Sequence, residues 1–146
     1  NRGMGTTCTV AAIRSGQLYL AHIGDSRAYL LREGDLRQLT TDHSWVEEAG
    51  VSGILTRDAA RSHPDRHVVT RAVGLDLEVV ADKGMLSLMD GDLLLLCSDG
   101  LNSMVTDAGI AGLSLSTVPD QVCATLIDAA NESGGHDNVT VVVAAL

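Results

Sequence analysis

From Thr6 to Leu39 short apolar stretches alternate with tight polar turns, the texture of strands rather than helices. Thr6 to Ile13 is rich in β-branched and small residues and meets a turn at Ser15-Gly16. Leu18 to Ile23 alternates and stops at Gly24-Asp25-Ser26. Ala28 to Leu31 resumes, Glu33-Gly34-Asp35 turns, and Leu36 to Leu39 returns. Short connections of this kind predict an antiparallel meander.

The pattern breaks at Asp42. Asp42 or Ser44 is placed to cap a short helix through Trp45, Val46, Glu47, Glu48 and Ala49, closed by Gly50. A second short helix is expected around Arg57 to Arg61 with Thr56 as its cap. The stretch 42–66 is polar, interrupted by Gly50, Gly53 and Pro64, and reads as an excursion from the sheet. Strands are expected again at Val68 to Val73, around Glu78 to Met85, and at Leu93 to Cys97. The unalternating run LLLLC predicts a strand covered on both faces. Thr106-Asp107 opens a short helix, and Pro119 begins a longer one with Val122, Cys123, Leu126, Ile127 and Ala130 on one side. Gly134-Gly135 ends it, and Asn138 to Ala144 is a final strand. Hairpins early and helices late indicate an α+β fold, and 146 residues suffice for one domain.

Composition narrows the function classes. With no Phe, one Trp and two Tyr, the core must be built from Leu, Val, Ile and Ala, and a base-stacking surface for single strands is not expected. A formal net charge of −9 disfavours nucleic acid and anionic membrane surfaces as partners. Cys8, Cys97 and Cys123 are odd in number and lack CxxC spacing, so they read as buried reduced thiols in a reducing, cytoplasmic setting. The longest apolar run, Leu93 to Cys97, is too short for a membrane span. Asn1 reads as a cut through a longer protein.

Three Asp-containing turns border apolar strands: Gly24-Asp25-Ser26-Arg27, Ser98-Asp99-Gly100, and Gly135-His136-Asp137-Asn138. If the Leu93 and Asn138 strands are antiparallel neighbours, Asp99 and Asp137 converge on one sheet edge. Oxygen ligands without Cys suit Mg²⁺ or Mn²⁺ rather than zinc or copper. An Asp at a strand end also forms turns by bonding its own backbone, and the residues alone do not choose between the two roles.

The order of short motifs is more specific. Gly3-Met4-Gly5-Thr6-Thr7, Gly24-Asp25-Ser26-Arg27, Leu39-Thr40-Thr41-Asp42-His43-Ser44, His63-Pro64 with Thr70-Arg71-Ala72-Val73-Gly74, Ser98-Asp99-Gly100-Leu101 and Asp137-Asn138-Val139-Thr140 follow one another in this chain. In that order they resemble the PP2C-type (PPM) metal-dependent protein phosphatases, bacterial branch, over essentially the whole chain.

The resemblance implies an α-β-β-α sandwich of two antiparallel sheets flanked by helices, of which residues 1–146 are the carboxy-terminal portion. It implies two core Mn²⁺ or Mg²⁺ ions held through Asp99 and Asp137, a third and weaker ion at Asp25, and a flap over 42–66. It also implies hydrolysis of phosphoserine and phosphothreonine in proteins by a water that the binuclear centre activates, without a phosphoenzyme. The expected partners are phosphorylated proteins, substrates of a bacterial Ser/Thr kinase of eukaryotic type. Absent from this sequence are the family's upstream Asp-Gly-x-Gly-Gly turn, whose Asp bridges both metals, and its phosphate-gripping Arg. Loss of a bridging ligand implies weak metal binding by the remaining carboxylates. The alternatives are a catalytically silent module that keeps the fold, and the same chemistry directed at anti-sigma-factor antagonists.

Other candidates carry plainer expectations. His22 is a packed strand residue, His136 a loop-surface residue, and His63-Pro64 shapes the flap. Arg27 is the ion-pair partner of Asp25, while Arg57, Arg61, Arg66 and Arg71 are available to meet substrate without any one standing out.

Overall fold

A computed structural model describes residues 3–56, 59–60, 63–116 and 118–146. Two antiparallel sheets face each other, with helices packed on the outer side of one. Strands β1 (Cys8–Arg14), β2 (Gln17–Ile23) and β5 (Asp82–Ser87) form the first sheet, in the order β1-β2-β5. Strands β3 (Arg27–Arg32), β4 (Asp35–Gln38), β6 (Leu93–Cys97) and β7 (Val141–Ala145) form the second, in the order β4-β3-β6-β7.

The expected meander is therefore not formed. β1–β2 and β3–β4 are hairpins closed at Ser15-Gly16 and Glu33-Gly34, all four residues at positive φ, the twist that two-residue hairpins require. Between β2 and β3, however, the chain leaves one sheet for the other, and β2 pairs with the distant β5 instead. Local alternation marks both strands but carries no information about which layer each joins.

Side chains on the two facing surfaces make an inter-sheet core of Leu18, Leu20, Ala28 and Leu94. Leu93, Leu95 and Cys97 point the other way, into a second core with Leu101, Ile110, Val122, Leu126 and Ala130. The LLLLC strand is thus covered on both faces, as its lack of alternation predicts. Helices α3 (Asp107–Leu113) and α4 (Pro119–Glu132) supply the outer layer over the second sheet. Thr106 caps α3 by accepting from the Gly109 N–H, and Pro119 occupies the first turn of α4. Each fully buried Leu of this face contributes on the order of 1.5–3 kcal/mol.

Other expectations need correction. Helix α1 (Trp45–Val51) has Ser44, one of the two expected candidates, as its cap, but Gly50 lies inside it instead of closing it. Val68 to Val73 forms no strand: it touches Ser44 through Val69 and Thr6 through Val73 in isolated bridges, with no continuous neighbour. β5 starts later than expected, and β7 begins at Val141 because the backbone before it is bound to Ser98 instead of a ladder. Cys8 is exposed; only Cys97 is fully buried, and Cys123 is intermediate. The short helix expected between Arg57 and Arg61 falls largely outside the described residues, although Thr56 Oγ1 accepts from the Ala59 N–H at 3.3 Å. Among the described residues no helix is long and apolar enough to cross a membrane.

Candidate functional site

Asp25 lies on the crossover between the sheets. Gly24 before it has φ +110°, and a Cβ built there would overlap the Thr7 side chain, so only glycine meets both demands. His43 holds Gly24 from two sides: the Gly24 N–H donates to His43 Nδ1 at 3.0 Å, and the His43 N–H donates to the Gly24 carbonyl at 2.7 Å. Ser26 is fixed by a 3.0 Å hydrogen bond between its hydroxyl and that of Thr7.

Asp99 opens α2 (Asp99–Asn102), a single helical turn directly after β6 that the sequence pattern did not reveal. Ser98 ties this turn to the start of β7. Its N–H donates to the Thr140 carbonyl at 3.0 Å, and its hydroxyl donates to the Asn138 carbonyl at 3.2 Å and accepts the Thr140 N–H at 3.0 Å. Since β6 and β7 run antiparallel, with Cys97 opposite Val141, the Asp99 and Asp137 turns emerge at the same sheet edge.

The three carboxylates nevertheless do not form one tight cluster. Asp25 and Asp99 both line a cleft of about 550 Å³, with Arg27, Asp42, Asp107, Arg66 and His67 among its lining residues. Asp137 faces a separate depression with Asn131 and His136, and its Oδ1 accepts the Asn138 N–H at 2.7 Å. Among the described residues no three His, Cys, Asp or Glu side chains converge closely enough to enclose an ion.

Electrostatics inside the cleft are uneven. Burial, and next the charge of Asp99, push the Asp25 carboxyl above the usual carboxylate range. Among the described residues Asp25 has no ion-pair partner, and Asp99 has only His67, whose Nδ1 lies 4.0 Å from Oδ2. Two carboxylates that face one space with so little neutralisation fit a hard divalent cation.

The expected Arg27–Asp25 pair is replaced by Arg27–Asp42. Arg27 Nε donates to both Asp42 oxygens at 2.9 Å, and Nη2 donates to Oδ2 at 2.6 Å. Arg27 Nη1 donates to the Tyr29 hydroxyl at 3.0 Å, which in turn donates to Asp107 Oδ1 at 3.2 Å. Burial opposes the guanidinium charge, but the hydrogen bonds and charge of Asp42 outweigh it and hold Arg27 protonated. Arg27 and Asp42 stand 15 residues apart, a separation that neither strand nor helix periodicity links. They meet because the chain folds back after β4.

Of the histidines, His22 is buried as expected, between Thr9 Oγ1 at 2.9 Å and the Thr41 carbonyl at 3.1 Å. Burial, then the neighbouring His43, depress its pKa below the ordinary value. His63 Nδ1 accepts the Asp65 N–H at 3.1 Å, and its ring lies 4.8 Å from Trp45, which fits a shaping role. The sequence offered His43 and His67 as general-acid candidates and Asp42 as a helix cap, without placing any of the three at the site. Asp42 and His43 stand within the Leu39–Ser44 motif, whereas His67 lies outside the quoted motifs and had only its residue type as a signal. Arg57 and Arg61 lie outside the described residues.

Comparison with known proteins gives this arrangement a context. Residues 2–49 match the family model Protein phosphatase 2C. Protein phosphatase PhpP of Streptococcus pneumoniae is 42% identical over 146 residues, covering 99% of this chain and 59% of that protein. The serine/threonine phosphatase PstP/Ppp of Mycobacterium tuberculosis superposes with a TM-score of 0.94 at 44% identity, over 99% of this chain and 61% of that one. The catalytic domain of the phosphatase PstP, solved in complex with two manganese ions, gives 0.87 at 40% identity, over 97% and 59%. The chain thus spans about three fifths of the length of these relatives. Over nearly its whole length, with two facing antiparallel sheets joined by the Gly24–Ser26 crossover, the chain is thus similar in sequence and in fold to the PP2C-type protein phosphatases, of which it spans about three fifths.

Proposed function

We propose that this chain supplies part of the active site of a metal-dependent phosphatase that removes phosphate from serine and threonine in proteins. One observation carries the reading: Asp25, from the inter-sheet crossover, and Asp99, from the turn after β6, line one cleft in which, among the described residues, only His67 approaches ion-pair distance of either. Asp99, Asp137 and Asp25 are the groups that would hold Mn²⁺ or Mg²⁺, Asp99 and Asp137 for core ions and Asp25 for a third. Such ions, when bound, supply positive charge that acidifies water and offsets the charge of phosphoryl oxygens.

The chain's own residues prepare the cleft. Ser98 anchors the Asp99 turn against Asn138 and Thr140, so the carboxylate is aimed before any ion arrives. Asp42 occupies Arg27, which keeps that cation from collapsing onto Asp25. Ser44, Glu47, Arg66 and His67 bring the 42–66 excursion and its end to the cleft, as a flap would, and Arg66 offers a donor to an anionic substrate. A cleft of about 550 Å³ accommodates a phosphorylated side chain. Phosphoproteins made by a bacterial Ser/Thr kinase in the cytoplasm are the substrates this reading favours.

The test is Mn²⁺-dependent phosphate release from a phosphothreonine peptide by the full-length protein. Asp99→Asn and Asp137→Asn should each abolish it. Undiminished turnover in both variants defeats the site, and a folded wild type that binds Mn²⁺ yet releases no phosphate establishes the silent module instead.

A further inference from the structure

We propose that His43 is a positioning residue that fixes Gly24, and through it the orientation of Asp25, a role that rests on Asp25 binding an ion as proposed above. The crossover at Gly24–Ser26 lies between β2 and β3, beyond the ladder bonds of either sheet. Its backbone groups must find partners elsewhere. For Gly24 both are supplied by one residue, through the 3.0 Å bond to Nδ1 and the 2.7 Å bond from the His43 N–H.

The ring that does this is held in turn. Because Nδ1 accepts from Gly24, the neutral ring carries its proton on Nε2, which donates to Asp82 Oδ2 at 3.0 Å. The other Asp82 oxygen accepts from Arg71 Nη1 at 2.7 Å. The His43 carbonyl accepts the Thr70 N–H at 2.9 Å, and the residue is 4% exposed, its ring 4.8 Å from that of His22. A line of contacts therefore runs from Arg71 through Asp82 and His43 to the residue next to Asp25. An apolar side chain of similar size would fill the space but leave the Gly24 N–H unpaired, free to rotate the crossover.

Two amide substitutions separate positioning from mere packing. His43→Asn places an amide oxygen near the position of Nδ1, whereas His43→Gln places its amide near Nε2. Mn²⁺ binding to the full-length protein, followed by calorimetry and by the resonance of free Mn²⁺, should lose its weakest step in Asp25→Asn. His43→Gln should weaken that same step about tenfold or more, and His43→Asn should bind within a few-fold of wild type, the range in which supports of metal ligands act. Asp82→Ala, at a half-exposed position, should weaken the step less and alter the ¹⁵N signature of the His43 tautomer. Equal binding by His43→Asn and His43→Gln overturns the positioning role alone. So does a weak step unchanged in both His43→Gln and Asp82→Ala while Asp25→Asn loses it. No change in Asp25→Asn removes the ion-ligand reading and this role with it.

Discussion

The α-carbon of Gly100 is backed onto the carbonyl oxygen of Asn138, so closely that any side chain at position 100 would overlap it. This contact presses the turn that carries Asp99 against the turn that carries Asp137. Glycine is required here for close approach rather than for an unusual φ.

Gly100→Ala should therefore separate the two turns while leaving the rest of the fold intact. A displacement of about 1 Å at a reacting centre costs on the order of 10²-fold in turnover. The expected result is a kcat/KM for a phosphopeptide lowered by about that factor, with a near-native far-ultraviolet spectrum. Full activity would show that the contact does not set the geometry of the carboxylates.

Arg27→Met should destabilise the fold by about 2–3 kcal/mol, because Asp42 is left poorly solvated and without its guanidinium. Asp42 is only 11% exposed and Arg27 21%, so solvent screening discounts the loss little. Urea unfolding, with the slope unchanged and the midpoint lowered, measures it. The double variant Arg27→Met with Asp42→Leu should recover part of the loss, since the unpaired charge is then gone.

Acid should weaken the protein through His22. Its folded pKa is depressed below the ordinary 6.5 by burial and by His43, so the unfolded chain binds more protons between the two values. Stability is then fully present above pH 6.5 and is lost as the pH falls through the depressed folded value. Thermal melts across that window should show the decline, and His22→Gln should flatten it.

The thiols should react in two classes. Cys8 is exposed, whereas burial pushes the Cys97 thiol up to about 12 and hides it in the helix-side core. A disulfide-exchange reagent at neutral pH should modify Cys8 rapidly in the native protein and Cys97 only after denaturant is added. Rapid native labelling of Cys97 would show that β6 is not covered on both faces.

The amino-acid sequence by itself determined the local elements. Alternation at Leu18–Ile23, the unbroken LLLLC run, the Thr106 cap and Pro119 are each read within a few residues, because strand and helix periodicity and capping are short-range effects. The order of the motifs likewise pointed to the family before any geometry was known. What tertiary structure alone decided is which layer each strand joins and which charges meet. β2 and β3 are neighbours in the chain but members of different sheets, and the Gly24–Ser26 crossover between them brings Asp25 to the cleft of Asp99. Arg27 pairs with Asp42 rather than Asp25, and His43 serves Gly24 and Asp82 together. Side chains select partners by distance after folding, and adjacency along the backbone does not encode that distance.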